Sequence, residues 1–521
     1  MMVGFDQRTG GAARSTVASL FRARSREHPA RVAVRDDVRA LTYAELEDRV
    51  RRLAAAWSAA GVVEGDRVAV LSENRIEFLE AFLAAAWTGA IVACQSWRLA
   101  EPELRHCLEL VRPKLTLVSP THADRLRGIE AGATWTLGPE LDARLAAQAP
   151  AGEPAALDPE AALLILYTSG TTGLPKGAVI SHRAEIVRNL VVRAEYGLAP
   201  SDAFVAWAPM FHLGGAEYSI GTLITGGEVI VVDGFDAERI ADVVATRELG
   251  WLILMPGVVD RLAEVLEARA IEPAGVRVCG VMPDLVPTAD LVRITRLLDA
   301  PYANTFGATE TGNPPASAGL VARGEAPASL AKRASAFCEI RLVDPDGVDV
   351  PDGTPGELWM RGPTLFSGYW VSDEEVPDEE DADQANAESF AGGWFHMGDV
   401  FVRQADGSID FVDRVKYLIK SGGENVYPAE IERVMLADPR VAEAAVVRRA
   451  DARWGEVPVA FVARRDGALQ EADLYAACRA QLAGYKQPKD IRFIAYEEFP
   501  RSASGKVVRH ELERRLAETA S

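Results

Sequence analysis

The most constraining feature of this sequence is an alternation that runs from about residue 42 to residue 310. Short apolar runs rich in β-branched residues alternate with longer segments whose apolar residues recur every three to four positions. Helical periodicity is found at 44–60, 75–88, 236–247 and 257–269, and candidate strands lie at 67–72, 90–95, 114–119, 162–168, 228–233, 251–256 and 276–281. Because the strands are apolar throughout, both of their faces are expected to be covered by helices, which predicts βαβ units around largely parallel sheets.

The pattern of apolar runs changes after residue 330. Strands punctuated by Gly and Pro at 338–344, 356–362 and 408–413 predict a smaller antiparallel region. From residue 414 the pattern is strand, helix, strand, strand, helix, strand. We therefore predict an α/β protein with a large N-terminal domain over residues 1–413 and a small, mobile α/β domain over residues 414–521.

Charge and cysteine usage narrow the classes of function. Among 521 residues, 76 acidic and 56 basic side chains give a formal net charge of −20, which would repel nucleic acid and anionic lipid surfaces. The five cysteines show no metal-binding spacing, and the longest apolar run, 81–94, is shorter than the ~20 residues of a membrane span. We expect a cytoplasmic protein. Residues 373–388 hold nine acids and no base, which is typical of a solvated surface loop.

A loop rich in glycine and hydroxyl groups follows the candidate strand at 162–168. Its glycines free the backbone, its hydroxyls can donate hydrogen bonds and its lysine adds charge, a combination that suits a polyphosphate. The GxxxxGK[ST] spacing of a Walker A loop is absent. A flexible linker is the alternative, but linkers are seldom framed by a buried strand and a helix. We predict phosphate binding by Thr168, Ser169, Gly170, Thr171, Thr172, Gly173 and Lys176.

Five segments, in order, resemble the motifs of the adenylate-forming superfamily, which includes acyl-CoA synthetases, peptide-synthetase adenylation domains and luciferases. The resemblance covers about residues 16–515. The segments are YTSGTTGLPKG at 167–177, NTFGATE at 304–310, GWFHMGD at 393–399, DRVK at 413–416 with SGGENVYP at 421–428, and PRSASGK at 500–506. The resemblance implies an enzyme that uses ATP, Mg²⁺ and coenzyme A.

The resemblance also implies roles for single residues in the nucleotide site. Phe306 would stack on adenine, within a motif that also contains Asn304 and Gly307. Glu310 is a hard oxygen ligand for Mg²⁺, and Thr309 can donate to a phosphate oxygen. Asp399 could accept hydrogen bonds from both ribose hydroxyls.

The C-terminal motifs are expected to carry the second half of the chemistry. Only eight of the 56 basic residues are lysine, so a lysine is informative here. By resemblance, Lys506 stabilises charge as the acyl-adenylate forms, and Asp413 is a hinge between two conformations. Candidate cofactor-binding residues near the hinge are Arg414, Lys416, Gly422 and Gly423, whose paired glycines allow a pantetheine arm to pass.

The sequence departs from the family's common pattern in the segment that should contact adenine. Residues 281–284 read VMPD where a Gly/Ala-rich turn is usual, and Tyr417 stands where an aspartate often follows the DRxK lysine. The acidic run also lengthens the segment before GWFH.

The stretch at 208–215 (APMFHLGG) resembles PLFHxxG of acyl- and aryl-CoA ligases, whereas amino-acid adenylation domains carry an aspartate here that pairs the substrate ammonium. We count His212 as both a catalytic and a substrate-binding candidate; its alternative is a strand-capping core residue. Small glycines leave room, which predicts a hydrophobic acid of medium or large size. The expected acyl-binding positions are Trp207, His212, Gly214, Gly215, Val281 and Phe306.

The function predicted from the sequence is an acyl-CoA synthetase that works through an acyl-adenylate. Coenzyme A is the expected acceptor for a chain without a carrier domain, but a separate acyl carrier protein offers the same thiol. A non-catalytic nucleotide-binding regulator is the alternative from another class. It would tolerate loss of Lys506, and the presence of that lysine argues against it.

Overall fold

The computed structural model describes residues 14–169, 174–371, 380–422, 424–465, 467–501 and 507–519. The chain divides into two compact units. The first comprises Met1–Glu339 with Arg361–Gly393, and the second comprises Ile340–Met360 with Trp394–Ser521. The predicted hinge, Asp413, lies inside the second unit, so a division at residue 413 stays a prediction.

Within the described ranges of the first unit, the strands form three sheets. Their strands are β1 (Val32–Arg35), β2 (Ala40–Thr42), β3 (Arg67–Leu71), β4 (Ile91–Gln95), β5 (Leu115–Val118), β6 (Ala133–Thr136), β7 (Ala162–Ser169), β8 (Pro175–Ser181), β9 (Phe204–Ala206), β10 (Val229–Val231), β11 (Leu249–Leu252), β12 (Val276–Cys279), β13 (Tyr302–Ala308) and β14 (Gly312–Val321). The largest sheet has the order β6-β5-β3-β4-β7-β8 and is parallel except for β8. The other two have the orders β2-β1-β10-β9 and β11-β12-β13-β14.

Helices cover these sheets. They are α1 (Val17–Glu27), α2 (Tyr43–Ala59), α3 (Ile76–Thr88), α4 (Glu101–Val111), α5 (Pro139–Ala146), α6 (His182–Tyr196), α7 (Leu213–Thr225), α8 (Ala237–Thr246), α9 (Val259–Ala268), α10 (Thr288–Leu297) and α11 (Glu380–Ser389). Helix α3 is buried along its whole first three turns because its sequence is apolar on nearly all sides. It ends at Gly89, whose φ of 83° suits the left-handed cap.

In the part of the second unit that the structure describes, the strands form two sheets. Its strands are β15 (Glu339–Val343), β16 (Pro355–Arg361), β17 (Phe395–Arg403), β18 (Ile409–Arg414), β19 (Ile419–Ser421), β20 (Glu424–Val426), β21 (Val441–Asp451), β22 (Gly455–Arg464) and β23 (Asp490–Phe493). Strands β15 to β18 follow one another in one sheet, and the other has the order β20-β19-β22-β21 with β23 beside β22. Helices α12 (Pro428–Leu436) and α13 (Glu471–Gln481) pack in the apolar cluster on one face of this second sheet. Helix α14 (Arg509–Thr519) packs on the other.

The predicted α/β class, with parallel βαβ sheets, a small antiparallel region and a smaller C-terminal part, is confirmed. Six of the seven candidate strands between residues 67 and 281 are found within about two residues of their predicted ends, and the strand predicted at 251–256 is displaced to Leu249–Leu252. None of the helices within the described ranges is both long and apolar enough to cross a membrane.

The structure corrects one local prediction and adds one unpredicted strand. The second half of the acidic run is a helix, α11, because its Glu, Ala and Gln residues favour helix despite the many negative charges of the run. Residues 372–379 lie outside the described part. The phosphate loop is followed first by strand β8, which the sequence did not predict, and the expected helix, α6, begins a few residues later at His182. The Pro, Lys and Gly at the start of β8 hide its strand character.

Candidate active site

The phosphate loop connects the antiparallel strands β7 and β8. Thr168 pairs with Lys176 and Ser169 with Pro175 across this hairpin. Gly170, Thr171, Thr172 and Gly173 lie outside the described residues. The two flanking positions therefore fix where the loop leaves and re-enters the largest sheet.

Side chains from outside the motif hold the base of the hairpin. The Tyr167 hydroxyl donates to Cys107 O at 2.8 Å and accepts from Gln95 Nε2 at 2.9 Å. Burial raises the pKa of Tyr167 well above its ordinary value, so the hydroxyl stays protonated. The His106 ring contacts Pro175 O through Nε2 at 3.0 Å. These contacts make the loop's two ends rigid.

Glu310 lies in the tight turn between β13 and β14. A Cβ on Gly307 would lie 2.0 Å from Gly312 O, so the close approach of the two strands requires glycine there. The backbone oxygen of Glu310 accepts from Phe366 N at 2.8 Å. Its carboxylate Oε1 accepts from the Tyr369 hydroxyl at 2.9 Å. Glu310, the predicted metal ligand, is thus hydrogen-bonded through both its main chain and its side chain.

Tyr369 also joins Glu310 to the phosphate hairpin. The Lys176 ammonium lies 5.5 Å from the centre of the Tyr369 ring, within cation–π range. Lys176 and Glu310 were predicted from motifs far apart in the sequence, and the structure brings both to one tyrosine. Sequence reasoning missed Tyr369, because nothing in the sequence says that the segment at 366–370 lies between the two motifs.

The oxygen and ammonium groups of this cluster fit a magnesium–nucleotide. A carboxylate supported by one hydroxyl donor retains a second oxygen for a hard cation, and Mg²⁺ usually takes one or two carboxylates together with substrate phosphates. Lys176 places a positive charge beside the loop that is expected to receive those phosphates. Thr309 precedes Glu310 in the same turn and is half-buried.

A buried ion pair, Arg188–Glu217, packs against the end of the Glu310 turn. The Arg188 guanidinium pairs with the carboxylate of Glu217, and its Nε donates to Thr364 O at 2.7 Å. A Cβ on Gly312 would lie 2.9 Å from the aliphatic part of Arg188, so the arginine packs directly under the start of β14. Burial raises the pKa of Glu217, while the arginine beside it acts in the opposite direction.

Asn304 and the unusual 281–284 turn meet at a buried lysine. Lys332 is 1% exposed, and its ammonium donates to Asp284 Oδ2 at 2.5 Å and to Asn304 Oδ1 at 2.7 Å. The Asn304 amide donates to the carbonyl groups of Leu330 and Ala331. The Asn304 side chain is therefore engaged by Lys332 and by the 330–331 backbone. The scarcity of lysine was the one sequence signal that could have drawn attention to Lys332.

The predicted acyl-binding residues fall into two groups. Trp207 is buried, donates from Nε1 to Ile253 O at 2.8 Å and packs edge-on against Phe235. Val281 is also buried, and its carbonyl accepts from the Tyr302 hydroxyl at 3.1 Å. Both side chains are therefore buried, and Trp207 belongs to an apolar cluster that packs against Phe235.

The second group surrounds the start of α7. His212 is the residue before this helix and its ring lies 5.3 Å from that of Phe211. A Cβ on Gly214 would meet only Ala208 and Ile253 at 3.8 and 4.0 Å, which is ordinary contact. A Cβ on Gly215 would lie 2.4 Å from Pro209 O. Gly215 is therefore required by the backbone, and of the two glycines Gly214 has room for a side chain. Phe306 is half-buried in β13.

In the second unit, Asp399 lies on β17 opposite Arg414 of β18. The Asp399 side chain is almost fully buried, and Arg414 Nε lies 3.0 Å from its Oδ1. Gly398 before it has a φ of 70°, and its N–H donates to Glu357 Oε1 at 3.1 Å. A carboxylate held in this way can accept further hydrogen bonds from a vicinal diol.

Asp413 is buried at the end of β18. Its Oδ1 accepts from Arg414 N and its Oδ2 from Ala429 N, both at 2.7 Å, so the carboxylate ties the strand to the first turn of α12. Burial raises the pKa of Asp413, and Arg509 opposes that shift. The predicted hinge residue is thus hydrogen-bonded to the first turn of α12.

The remaining C-terminal candidates surround the β19–β20 hairpin. Gly422 has a φ of 62°, donates to Trp454 O at 2.7 Å, and has no space for a Cβ against the Trp454 indole. The Lys416 ammonium lies 5.1 Å from the Tyr417 ring. Gly423 and Lys506 lie outside the described residues.

Comparison with known proteins agrees with this geometry. Residues 21–370 match the model of the AMP-binding enzyme family, and residues 430–506 match that of the AMP-binding enzyme C-terminal domain. A feruloyl-CoA synthase from Amycolatopsis sp. is 37% identical over 505 residues, which are 95% of this chain and 97% of that protein. An indoleacetate–CoA ligase from Aromatoleum aromaticum is 33% identical over 505 residues, covering 94% and 96% of the two chains.

A solved structure is similar over almost the whole chain. The o-succinylbenzoate-CoA synthetase of Bacillus subtilis, in complex with its acyl-adenylate intermediate, has a TM-score of 0.81 and 26% identity. The match covers 95% of this chain and 97% of that one. The same enzyme has also been solved with ATP and a magnesium ion.

The chain belongs to the AMP-binding enzyme family, the adenylate-forming superfamily that includes the acyl-CoA ligases. It is an AMP-forming acid–thiol ligase whose cofactors are ATP, Mg²⁺ and coenzyme A.

Proposed function

We propose that this enzyme converts a hydrophobic, ring-bearing carboxylic acid to its coenzyme A thioester through an acyl-adenylate. The observation that carries the substrate class is the make-up of residues 207–216, which contain no acidic side chain to pair an amino-acid ammonium. The buried Trp207 and Val281 offer apolar surface, and Gly214 leaves space at the start of α7. The names of two relatives refer to feruloyl and indoleacetate groups, both of which carry a ring.

The first half-reaction activates the acid, because a carboxylate is a poor electrophile. We propose that Lys176 and the phosphate loop bind the polyphosphate of ATP, while Glu310 holds Mg²⁺ against it and Thr309 donates to a phosphate oxygen. The metal supplies charge neutralisation of the phosphates when bound. His212, at the start of α7, would orient the acid, and Phe306 and Asp399 would bind adenine and ribose.

By family resemblance, Lys506 stabilises the negative charge that develops as the carboxylate attacks the α-phosphorus and pyrophosphate leaves. A flexible ammonium suits a group that enters a closed site and later withdraws, and a planar guanidinium would be less suitable. We propose that the chain then rotates at Asp413, which divides it into functional domains at residues 1–413 and 414–521. The second half-reaction would bring Gly422 and Gly423 to the pantetheine arm, with Arg414 and Lys416 nearby in the sequence.

Support for the hinge comes from Asp413 itself. Its carboxylate holds one hydrogen bond to the following residue and one to the first turn of α12. We propose that rotation about residue 413 breaks the bond to α12, which the closed arrangement would have to re-form. We also propose a cytoplasmic location, in keeping with five cysteines that are all free thiols.

The experiment that tests the function is pyrophosphate exchange over a panel of acids, followed by thioester formation with coenzyme A. The panel contains acetate, aliphatic acids, aryl acids and α-amino acids. Exchange with an aryl acid and thioester formation with free coenzyme A support the proposal. Exchange without transfer to coenzyme A, together with transfer to the pantetheine of an acyl carrier protein, would instead support the carrier protein as acceptor.

A further inference from the structure

The segment at 366–370 is held from three sides although it belongs to none of the five motifs. Its backbone runs alongside β8, where Ser367 N donates to Val179 O at 2.8 Å and Trp370 N donates to Gly177 O at 2.7 Å. Phe366 N donates to Glu310 O at 2.8 Å. The segment therefore pairs with β8 at Tyr369 and also contacts the Glu310 turn.

The third contact comes from the acidic helix α11. Asn386 Oδ1 accepts from Tyr369 N at 2.7 Å, and Asn386 Nδ2 donates to Tyr369 O at 2.9 Å. One side-chain amide thus satisfies both backbone groups of a single residue, as a neighbouring strand would do. Gly368 beside it has a φ of 101°, and a Cβ there would lie 3.1 Å from Asn386 Oδ1. Asn386 therefore packs closely against the backbone of both Gly368 and Tyr369.

The Tyr369 side chain contacts two residues that are predicted to bind the nucleotide, Glu310 and Lys176. Its hydroxyl donates to Glu310 Oε1 at 2.9 Å, and its ring lies 5.5 Å from the Lys176 ammonium. The ring also packs edge-on against Phe366, which stacks on Phe390 just after α11. A tyrosine fixed at its backbone and its ring has few ways to place its hydroxyl, so the Glu310 carboxylate has a preset orientation.

We propose that Tyr369 and Asn386 are positioning residues for the magnesium–ATP site, and that helix α11 of the acidic segment is a structural part of that site. Tyr369 orients the Glu310 carboxylate so that its second oxygen faces the metal, and Asn386 acts through Tyr369. The inference rests on the proposed role of Glu310 as a magnesium ligand. It assigns a function to a segment whose composition alone suggests only a solvated surface.

The test is equilibrium binding of ATP to the full chain, measured by calorimetry with Mg²⁺ and with excess EDTA. Tyr369→Phe keeps the ring and removes the hydroxyl. We expect its affinity for ATP with Mg²⁺ to fall about 3- to 10-fold, the range of one ordinary net hydrogen bond, because the lost bond acts on the ligand only through Glu310, while its affinity without Mg²⁺ stays within 2-fold of wild type. Equal losses in both conditions, or no loss in either, would overturn the proposal.

A double-mutant cycle tests whether Asn386 acts through Tyr369. Asn386→Ala should lower magnesium-dependent affinity about 2- to 5-fold in the wild-type background and should have almost no further effect in Tyr369→Phe. Additive losses would contradict the coupling. If Tyr369→Phe does not fold, the magnesium dependence of ATP binding by Asn386→Ala decides the question alone.

Two control variants match the substitutions. Tyr196→Phe also removes one buried hydroxyl, which donates to Ser317 O at 3.0 Å, and Gln384→Ala changes an exposed position on α11 that pairs with Glu388. Both should bind ATP as wild type does. These measurements need no acid substrate, so failure of the positioning proposal is distinguishable from failure of the proposed function, which would appear as absent acid-dependent pyrophosphate exchange in the wild-type enzyme.

Discussion

The ammonium of Lys332 lies 2.5 Å from Asp284 Oδ2 and is otherwise buried beside the strand that leads to Glu310. The lysine side chain is 1% exposed whereas that of Asp284 is 41% exposed, so the pair lies at the inner end of a turn that reaches the surface. That turn carries Val281 and Met282, the latter with a φ of 47°. Lys332 thus holds a backbone conformation that is uncommon for a residue with a side chain.

Replacing Lys332 with Met should lower the free energy of unfolding by about 2 to 3 kcal/mol, because Asn304 Oδ1 and Asp284 lose a shared charged donor. It should also change the preference among acids, since the turn that carries Val281 is released. The measurement is urea unfolding, with the exposed Lys114→Met as the control. Unfolding free energies that agree for the two variants would show that the buried pair contributes nothing.

The two glycines at the start of α7 should respond differently to substitution. Gly214→Leu should shorten the largest acid accepted and leave ATP affinity unchanged, because its Cβ meets only ordinary contacts and the added atoms fill space. Gly215→Ala should destabilise the fold by about 1 to 3 kcal/mol through overpacking against Pro209 O. Activity over a series of acids of increasing size, with thermal unfolding, checks both. A Gly214→Leu enzyme that accepts the same largest acid as wild type would remove Gly214 from the pocket.

The sequence predicts the strands of the large sheets well because uninterrupted apolar runs have few other structures open to them. Residues 67–72 and 114–119 are examples, since β3 and β5 fall within one residue of those bounds. Strand β8 was missed because Pro175, Lys176 and Gly177 carry no β signal, and it forms by pairing with β7.

The candidate site was predictable only as far as its motifs extend. Lys176 and Glu310 could be found in this way, and the structure brings both to Tyr369. The positions of Tyr369 and Lys332 depend on contacts between residues that are far apart in the sequence. No local pattern encodes such contacts, so these residues had to be found in the structure.

Proline at position 413 should trap one conformation by restricting φ. We expect Asp413→Pro to retain pyrophosphate exchange and to lose most thioester formation. Asp413→Ala is the matched control, because it removes the same hydrogen bonds to Arg414 N and Ala429 N without restricting the backbone. If thioester formation falls equally in the two variants, or in neither, residue 413 is not the hinge.

His182 should make the fold sensitive to mild acid. It is fully buried, and burial lowers the pKa of its imidazole from its ordinary value of 6.5 to about 4. The unfolded chain therefore takes up a proton below about pH 6.5 that the folded chain refuses until about pH 4, so stability falls across that window as the pH falls. The full loss is roughly 3 kcal/mol.

The measurement is the free energy of unfolding at pH 7.5 and at pH 4.5 for wild type and for His182→Asn, whose side-chain oxygen can still accept from Val17 N. The variant should lose most of this pH dependence. The exposed His510→Asn should keep the wild-type dependence. Parallel profiles for wild type and His182→Asn would show that His182 does not set the acid sensitivity.

The central claim is that this ligase activates a ring-bearing acid through an adenylate, and the most direct measurement is acid-dependent exchange of pyrophosphate into ATP by wild type and by Lys506→Ala. We predict exchange with aryl and arylalkanoic acids, little with acetate, and none with α-amino acids. Lys506→Ala should lose at least ~10²-fold in exchange while largely retaining thioester formation from a supplied acyl-adenylate. Preferred exchange with acetate or an amino acid would contradict the substrate claim, and equal losses in both half-reactions would contradict the role given to Lys506.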